Sequence, residues 1–294
     1  MIKNIKHITA LLLVTSGLAL AKGPESNHHG SSAMYMANEG LMVVAGETKV
    51  VFDPLFRNGF GQYQLLPKDM EDALFAGRPP FDGIDAVFVS HYHGDHFSPV
   101  DMLRLLIEQP DITLYAPRQA VTILRSVAGE QDQSVLERVI AVDLAYKDAP
   151  VTLKMEGLLI EAVRIPHSGW PDGRLDVENI SWRVTLNEST TVLHMGDADV
   201  DDVHFERDAD YWDRRHTHMA FPPYWFFSNQ QGRDILENRI NPAHSVGVHV
   251  PVSIPQNPSL RPRELRDVDL FTEPGEERDI YDAERLVEEK GSEN

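Results

Sequence analysis

Hydrophobic and polar positions alternate with two different periods along this chain, and the period changes repeatedly from about residue 33 onward. Leu41–Ala45 and Lys49–Phe52 are short apolar runs around Gly46-Glu47, which predicts a hairpin. Val151–Met155 and Leu158–Ile165 flank Glu156-Gly157 in the same way, and Ile180–Leu186 returns through Asn187-Glu188 as Thr191–Met195. Asp85–Ser90 is a continuous apolar run, as expected of a strand buried on both faces. Ile112–Tyr115 and Ser245–Val250 read as further strands, with an edge strand near Asp269–Thr272. Helical spacing appears between them. Ser98-Pro99 supplies an N-cap and a proline at the first helical position, and Val100, Leu103 and Ile107 then fall on one face of a helix ending near Pro110. Arg118–Ala128, stopped by Gly129, and Gly232–Arg239 are the other predicted helices. Hairpins, then β-α alternation, then hairpins again fit two mixed sheets face to face with helices outside. The expected fold is α/β, a four-layer αββα sandwich. No Pro/Gly/Ser-rich linker divides it, so residues 33–275 are expected to form one domain.

The ends of the chain differ from this body. Lys3 and Lys6 precede an apolar stretch, Ile8 to Leu20, and Ala19-Leu20-Ala21 then gives the small-x-small pattern of a signal peptidase site. Residues 1–21 are therefore expected to be a signal peptide, removed on export to the periplasm or the exterior. The apolar stretch is short of the ~20 residues of a spanning helix. No other segment is long and apolar enough to add an integral membrane span to the mature chain. A flexible segment, 22–32, and a largely disordered acidic tail, 276–294, complete the expected organisation. The 294 residues include no cysteine, which excludes disulfides, thiolate nucleophiles and sulfur ligands to a metal. A net charge of -19 argues against nucleic acid as a partner, since phosphate binding needs basic surface.

The candidate chemistry is concentrated in Ser90-His91-Tyr92-His93-Gly94-Asp95-His96-Phe97-Ser98. Three histidines and a carboxylate follow directly on the buried strand. At i and i+2 of an extended segment, His91 and His93 point the same way. Gly94 is expected to let the backbone turn, so that Asp95 and His96 face a second point nearby. Imidazole and carboxylate together are the donor set of zinc, iron or manganese.

With this H-x-H-x-D-H motif the chain resembles the metallo-β-lactamase superfamily. The resemblance runs over roughly residues 33 to 275 and includes Val51-Phe52-Asp53-Pro54, which looks like the family's second-strand ending. Later ligands that the family expects at strand ends are matched by His167 in Ile165-Pro166-His167, Asp197 in Met195-Gly196-Asp197 and His249 in Val248-His249-Val250. The resemblance implies that His91, His93 and His167 bind one metal, that Asp95, His96 and His249 bind another, and that Asp197 bridges them. It further implies two divalent ions, zinc in the first place, and a hydrolase using a metal-bound hydroxide. Asp95 and Asp197 are then the catalytic carboxylates. The pattern looks closest to the branch with ascorbate-6-phosphate lactonase-like and phospholipase-D-like members. A small-molecule or lipid-derived ester, lactone or phosphodiester is the implied substrate, with a β-lactam also open.

Several residues compete for attention. His244 lies five positions before His249, but the strand-end placement favours His249. His194 should face away from Asp197, in packing or support. His28 and His29 fall in the flexible segment, and His216 and His218 read as surface or supporting residues. The aromatic run Phe221–Phe227 belongs either to the core or to a pocket wall. Phe60, Tyr63 and Phe75 in the long Arg57–Asp82 connection, and Trp170, are further candidates to line a pocket.

Two other function classes fit the residues less well. Di-iron redox members of the fold usually replace the second motif histidine by glutamate and carry a flavin domain, whereas this chain has His93 and no room for one. A mononuclear iron redox enzyme would leave Asp95, His96 and His249 without a purpose. A non-catalytic metal-binding protein predicts a degraded ligand set, and all seven positions are present.

Overall fold

The computed structural model describes residues 30–281. The expected signal peptide, His28 and His29, and the tail from residue 282 lie outside the described residues.

Thirteen strands form two sheets. In chain order the first sheet holds β1 (Ser31–Ala37), β2 (Gly40–Ala45), β3 (Thr48–Phe52), β4 (Ala86–Phe88), β5 (Thr113–Pro117) and β6 (Val139–Val142), closed on its other edge by β13 (Glu277–Ile280). Its spatial order is β13-β1-β2-β3-β4-β5-β6. The second runs β12-β11-β10-β9-β8-β7, from β7 (Val151–Met155), β8 (Leu158–Arg164), β9 (Ile180–Leu186), β10 (Thr190–His194), β11 (Met219–Phe221) and β12 (His244–Ser245). Both are mixed. β1 to β3 are antiparallel and β3 to β6 parallel, while β7 to β10 are antiparallel and β10 to β12 parallel.

Alternation along the strands builds the layers. Leu41, Val43, Val50, Phe52 and Phe88 point between the sheets, where they meet Ile160, Trp182, Val184 and Val192. The opposite faces are covered by helices. Met42, Val51 and Val87 pack under α1 (Lys68–Phe75), α2 (Pro99–Glu108), α3 (Arg118–Val127) and α4 (Gln133–Leu136). Val163, Leu193 and Ala220 pack under α5 (Val203–Glu206), α6 (Ala209–Asp213), α7 (Trp225–Ser228) and α8 (Gln230–Ile235). This is the expected αββα sandwich. The β9–β10 turn places Asn187 and Glu188 at φ 49° and 61°, the paired left-handed backbone that suits the twist of a two-residue hairpin. Trp182 Nε1 donates to Val89 O at 2.9 Å, tying the second sheet to the residue before the motif.

Four details differ from the sequence reading. On α2, Val100 and Ile107 are exposed, and Met102, Leu103, Leu105 and Leu106 are buried. The last strand shrinks from Ser245–Val250 to His244–Ser245, and beyond it Gly247 and Val248 make only isolated bridges to Leu270 and Pro223. No strand forms at 269–272. Instead β13, past the expected domain end at 275, pairs antiparallel with β1. Finally, the Arg57–Asp82 connection contains α1, so it is not a bare loop.

Candidate metal centre

All seven predicted ligands converge at one edge of the sandwich. The motif follows β4, His167 follows β8, Asp197 follows β10, and His249 lies beyond β12. His91, His93, His167 and Asp197 form one cluster, and Asp95, His96 and His249 another, with ligand atoms in each within 4.8 Å of one another. In the first, His93 Nδ1 is 3.0 Å from His91 Nε2 and 3.1 Å from His167 Nε2. Asp197 Oδ2 is 3.0 Å from His167 Nε2 and 3.9 Å from His91 Nε2. In the second, Asp95 Oδ2 is 3.4 Å from His249 Nε2 and 3.8 Å from His96 Nε2. Asp197 Oδ1 is 3.2 Å from His249 Nε2 and 3.3 Å from His96 Nε2. One carboxylate therefore turns each oxygen to a different cluster.

The surroundings fix the imidazoles in the required tautomers. Ser90 Oγ donates to Asp53 Oδ2 at 2.5 Å, so His91 Nδ1, 3.0 Å away, donates to Ser90 Oγ. His96 Nδ1 donates to Asp53 Oδ2 at 2.9 Å, and His167 Nδ1 to Ser168 O at 2.9 Å. In all three rings the lone pair is left on Nε2, the atom facing the cluster. Asp53 sits at φ 38° with both oxygens engaged, Oδ1 accepting from Ser90 N at 2.7 Å.

Local backbone explains how the chain reaches these positions. The motif turns through His96 N and Phe97 N, which donate to His93 O at 3.0 and 2.9 Å. Gly94 lies in this turn, as expected, without entering the left-handed region, and its carbonyl accepts from Asn58 N. The glycine that matters is Gly196, at φ +54°, where a Cβ would sit 2.4 Å from Asn179 Oδ1 and 2.6 Å from Ser90 Cβ. Asn179 Oδ1 in turn accepts from Asp197 N at 3.1 Å. His249 itself is left-handed at φ 56°, the kind of backbone cost found where side-chain direction is over-determined.

The electrostatics fit cations. His96 Nε2, Asp197 Oδ1 and His249 Nε2 are buried with no hydrogen-bond partner, although Asp197 Oδ1 lies 3.2 Å from His249 Nε2 and 3.3 Å from His96 Nε2. Groups facing one another without a shared proton suit a metal between them. Burial, followed by the neighbouring His167 and His96, holds His93 down to about 4, in the neutral form that ligates. Burial opposes ionisation of Asp197, but His249 and His96 outweigh it and hold its carboxyl well below the usual range. Burial would likewise lower His96, yet Asp197 and Asp53 raise it well above an ordinary imidazole. These carboxylates draw positive charge to the place where a metal would sit.

Above the ligands lies a cavity of about 450 Å³, with Phe60, Tyr63, Trp225 and Arg174 in its walls. Tyr63 stands edge-on to the His249 ring at 4.1 Å. The aromatic run divides. Trp225 lines the cavity, while Phe221 and Phe226 are core. Phe75 is also core and carries the Arg104 guanidinium over its ring, and Trp170 packs on His204 instead of lining the cavity. His244 pairs with Asp269 at 2.9 Å, away from the ligands. His194 stacks on Phe52 and faces Glu39 Oε2 at 3.2 Å. His216 and His218 pack against each other on the approach to β11. Asp53, Asn179 and Arg174 were not singled out as functional from the sequence. The signal for Asp53 is its place in Val51-Phe52-Asp53-Pro54, at the end of an apolar strand.

A family model for the β-lactamase superfamily domain matches residues 48–213, more than half of the chain. The chain belongs to this superfamily. The solved metallo hydrolase Igni18 from Ignicoccus hospitalis is similar, with a TM-score of 0.54 and 16% identity, over 86% of this chain and 99% of that one. The isothiocyanate hydrolase from Delia radicum gut bacteria gives a TM-score of 0.56 at 16% identity, over 84% and 98%. At these identities the likeness is one of fold. Among curated proteins, the cytidine monophosphate-N-acetylneuraminic acid hydroxylase of Danio rerio is 31% identical over 86 residues. That stretch is 28% of this chain and spans only 13% of the length of that relative. Among the described residues, no helix is long and apolar enough to cross a membrane.

Proposed function

We propose that this protein is a dinuclear metal-dependent hydrolase of an ester, lactone or phosphodiester, exported to the periplasm or the exterior. The observation that carries the reading is Asp197, whose Oδ2 faces His167 at 3.0 Å and whose Oδ1 faces His249 at 3.2 Å. A carboxylate so placed suits a bridge between two cations. The nitrogen and oxygen donors, with no thiolate in the chain, favour zinc at both positions. When bound, two such ions supply an acidified water and a Lewis acid for the substrate oxygen. Asp53 and Ser90 hold the imidazoles in register, and Asp95, on the cavity wall, is placed to orient the attacking water and take its proton. Burial raises the Asp95 carboxyl, but His249 and His96 outweigh it and keep it ionised.

The test is elemental analysis of the purified mature protein, followed by a panel of lactones, phosphodiesters, phospholipids and β-lactams with a chelated control. Close to two ions per chain and chelator-sensitive hydrolysis are expected. One ion or none, in a preparation supplied with metal, would overturn the dinuclear reading. Product formation that consumes dioxygen would instead favour a reaction like that named for the Danio rerio hydroxylase.

A further inference from the structure

We propose that Arg174 is the anion-binding residue of the cavity, and that the substrate is a small organic monoanion carrying an aryl or alkyl group. The inference rests on the hydrolase reading and deepens it by naming the substrate class.

Arg174 is the one lysine or arginine in the cavity wall, in a chain whose net charge is -19. Its position is built. The turn after His167 is closed by Asp172 N and Gly173 N, which donate to Gly169 O at 3.1 and 2.9 Å, and by Val177 N, which donates to Arg174 O at 3.1 Å. Arg174 occupies this turn at φ 55°, in the left-handed region that a long side chain seldom adopts. Its Nη1 donates to Ser168 O at 3.1 Å, which tethers the guanidinium to the residue following a ligand. Ser168 O also accepts from His167 Nδ1 at 2.9 Å, so one carbonyl aligns both the ligand and the cation.

The charge on Arg174 is not spent inside the protein. Asp172 and Asp176 lie two positions to either side, yet neither forms an ion pair with it, and among the described residues it has no carboxylate partner. A guanidinium presents paired donors in one plane, which match the two oxygens of a carboxylate or of a phosphodiester. The same cavity is lined by Trp225, Tyr63 and Phe60. Trp225 is fixed by its Nε1, which donates to Ala198 O at 3.0 Å, and its ring stands 5.3 Å from that of His249. Tyr63 stands edge-on to the same His249 ring at 4.1 Å, and Phe60, also in the cavity wall, is 55% exposed. Leu175, next to Arg174, is 58% exposed. A cation and aromatic rings lining one cavity fit a ligand with a charged end and an apolar body.

The experiment uses the metal-loaded full mature chain and two inert probes of nearly equal shape. One is 2-naphthalenesulfonate, a monoanion, and the other is 2-(methylsulfonyl)naphthalene, which is neutral. Titration calorimetry is expected to show the anion binding about tenfold more tightly, in line with a charge-assisted hydrogen bond. Arg174→Gln should abolish that preference and keep both metal content and affinity for the neutral probe. In turnover, the same variant should raise KM about tenfold for bis(4-nitrophenyl) phosphate or for 4-nitrophenyl succinate, with kcat little changed, and leave neutral 4-nitrophenyl butyrate unaffected. Whichever anion responds identifies the charged group as phosphodiester or carboxylate. Equal binding of the two probes, or a preference that survives Arg174→Gln, would overturn the proposal. An Arg174-dependent preference in a protein that hydrolyses nothing would leave the proposal standing and sink the hydrolase reading.

Discussion

Asp53 Oδ2 lies 2.9 Å from His96 Nδ1 and accepts a hydrogen bond from it, while the same oxygen accepts one from Ser90 Oγ. A single buried carboxylate thus orients ligands of both clusters, His96 directly and His91 through Ser90. Removing it frees two rings. Asp53→Ala is expected to weaken metal affinity by ~10–100-fold. Chelator competition measures this, and unchanged retention would show that packing alone orients the rings.

Asp197 should behave differently, because it touches both clusters. Asp197→Ala is expected to lower turnover by orders of magnitude and to reduce retention at both positions together. A variant that kept full metal and full activity would refute the bridging assignment.

Gly196 sets the direction of Asp197. A methyl group there meets Asn179 and Ser90 at well under contact distance, on a left-handed backbone that disfavours any side chain. Gly196→Ala should therefore destabilise by about 2–4 kcal/mol, from backbone and overpacking costs together, and should lower metal content as well. Urea unfolding with elemental analysis checks both. A loss of stability with full metal occupancy would mean that Asp197 can be reached from another backbone.

Acid sensitivity should come in part from Asp269. Burial pushes its carboxyl up, but His244 and Arg278 outweigh this and hold it at about 2. Because the folded value lies below the ~3.9 of an unfolded aspartate, the stabilisation is complete above about pH 4 and disappears as pH falls towards 2. Asp269 joins β12, through His244, to β13, through Arg278, and so links the edges of the two sheets. Asp269→Asn is expected to cost about 1–2 kcal/mol at pH 7 and progressively less below pH 4. Denaturant unfolding at the two pH values gives the difference, and a constant gap would show that the pair does not titrate as described.

The strand pattern was legible in the sequence because it is local, and the seven candidate ligands because the motif is contiguous and the resemblance pointed to the strand ends that carry the other three. A strand end followed by histidine or aspartate can be read off the chain, and so can a left-handed Asn187-Glu188 turn. What was missed depends on neighbours. The stretch from Pro99 to Glu108 has apolar residues around most of its circumference, so its periodicity alone does not choose between the face of Val100, Leu103 and Ile107 and the face of Met102, Leu103, Leu105 and Leu106. Only the sheet beneath selects the second. Likewise nothing in Glu277-Arg278-Asp279-Ile280 marks a strand except the free edge of β1 beside it. Asp53 stands at a strand ending like any other, and its role appears only when the motif, distant in sequence, folds back onto it. Arg174 sits in a polar turn with no periodicity to flag it.

The chain has no cysteine, yet its ligands are drawn from loops of both sheets, and the first and last of them are separated by more than half of its length. Ions held among those ligands would clamp one half of the sandwich to the other, much as a covalent staple restrains an unfolded chain. Chelation should then do more than stop turnover: the same treatment would lower the melting temperature and open the seam between the halves to proteases. Metal supply in the compartment would thereby govern how long the protein persists there.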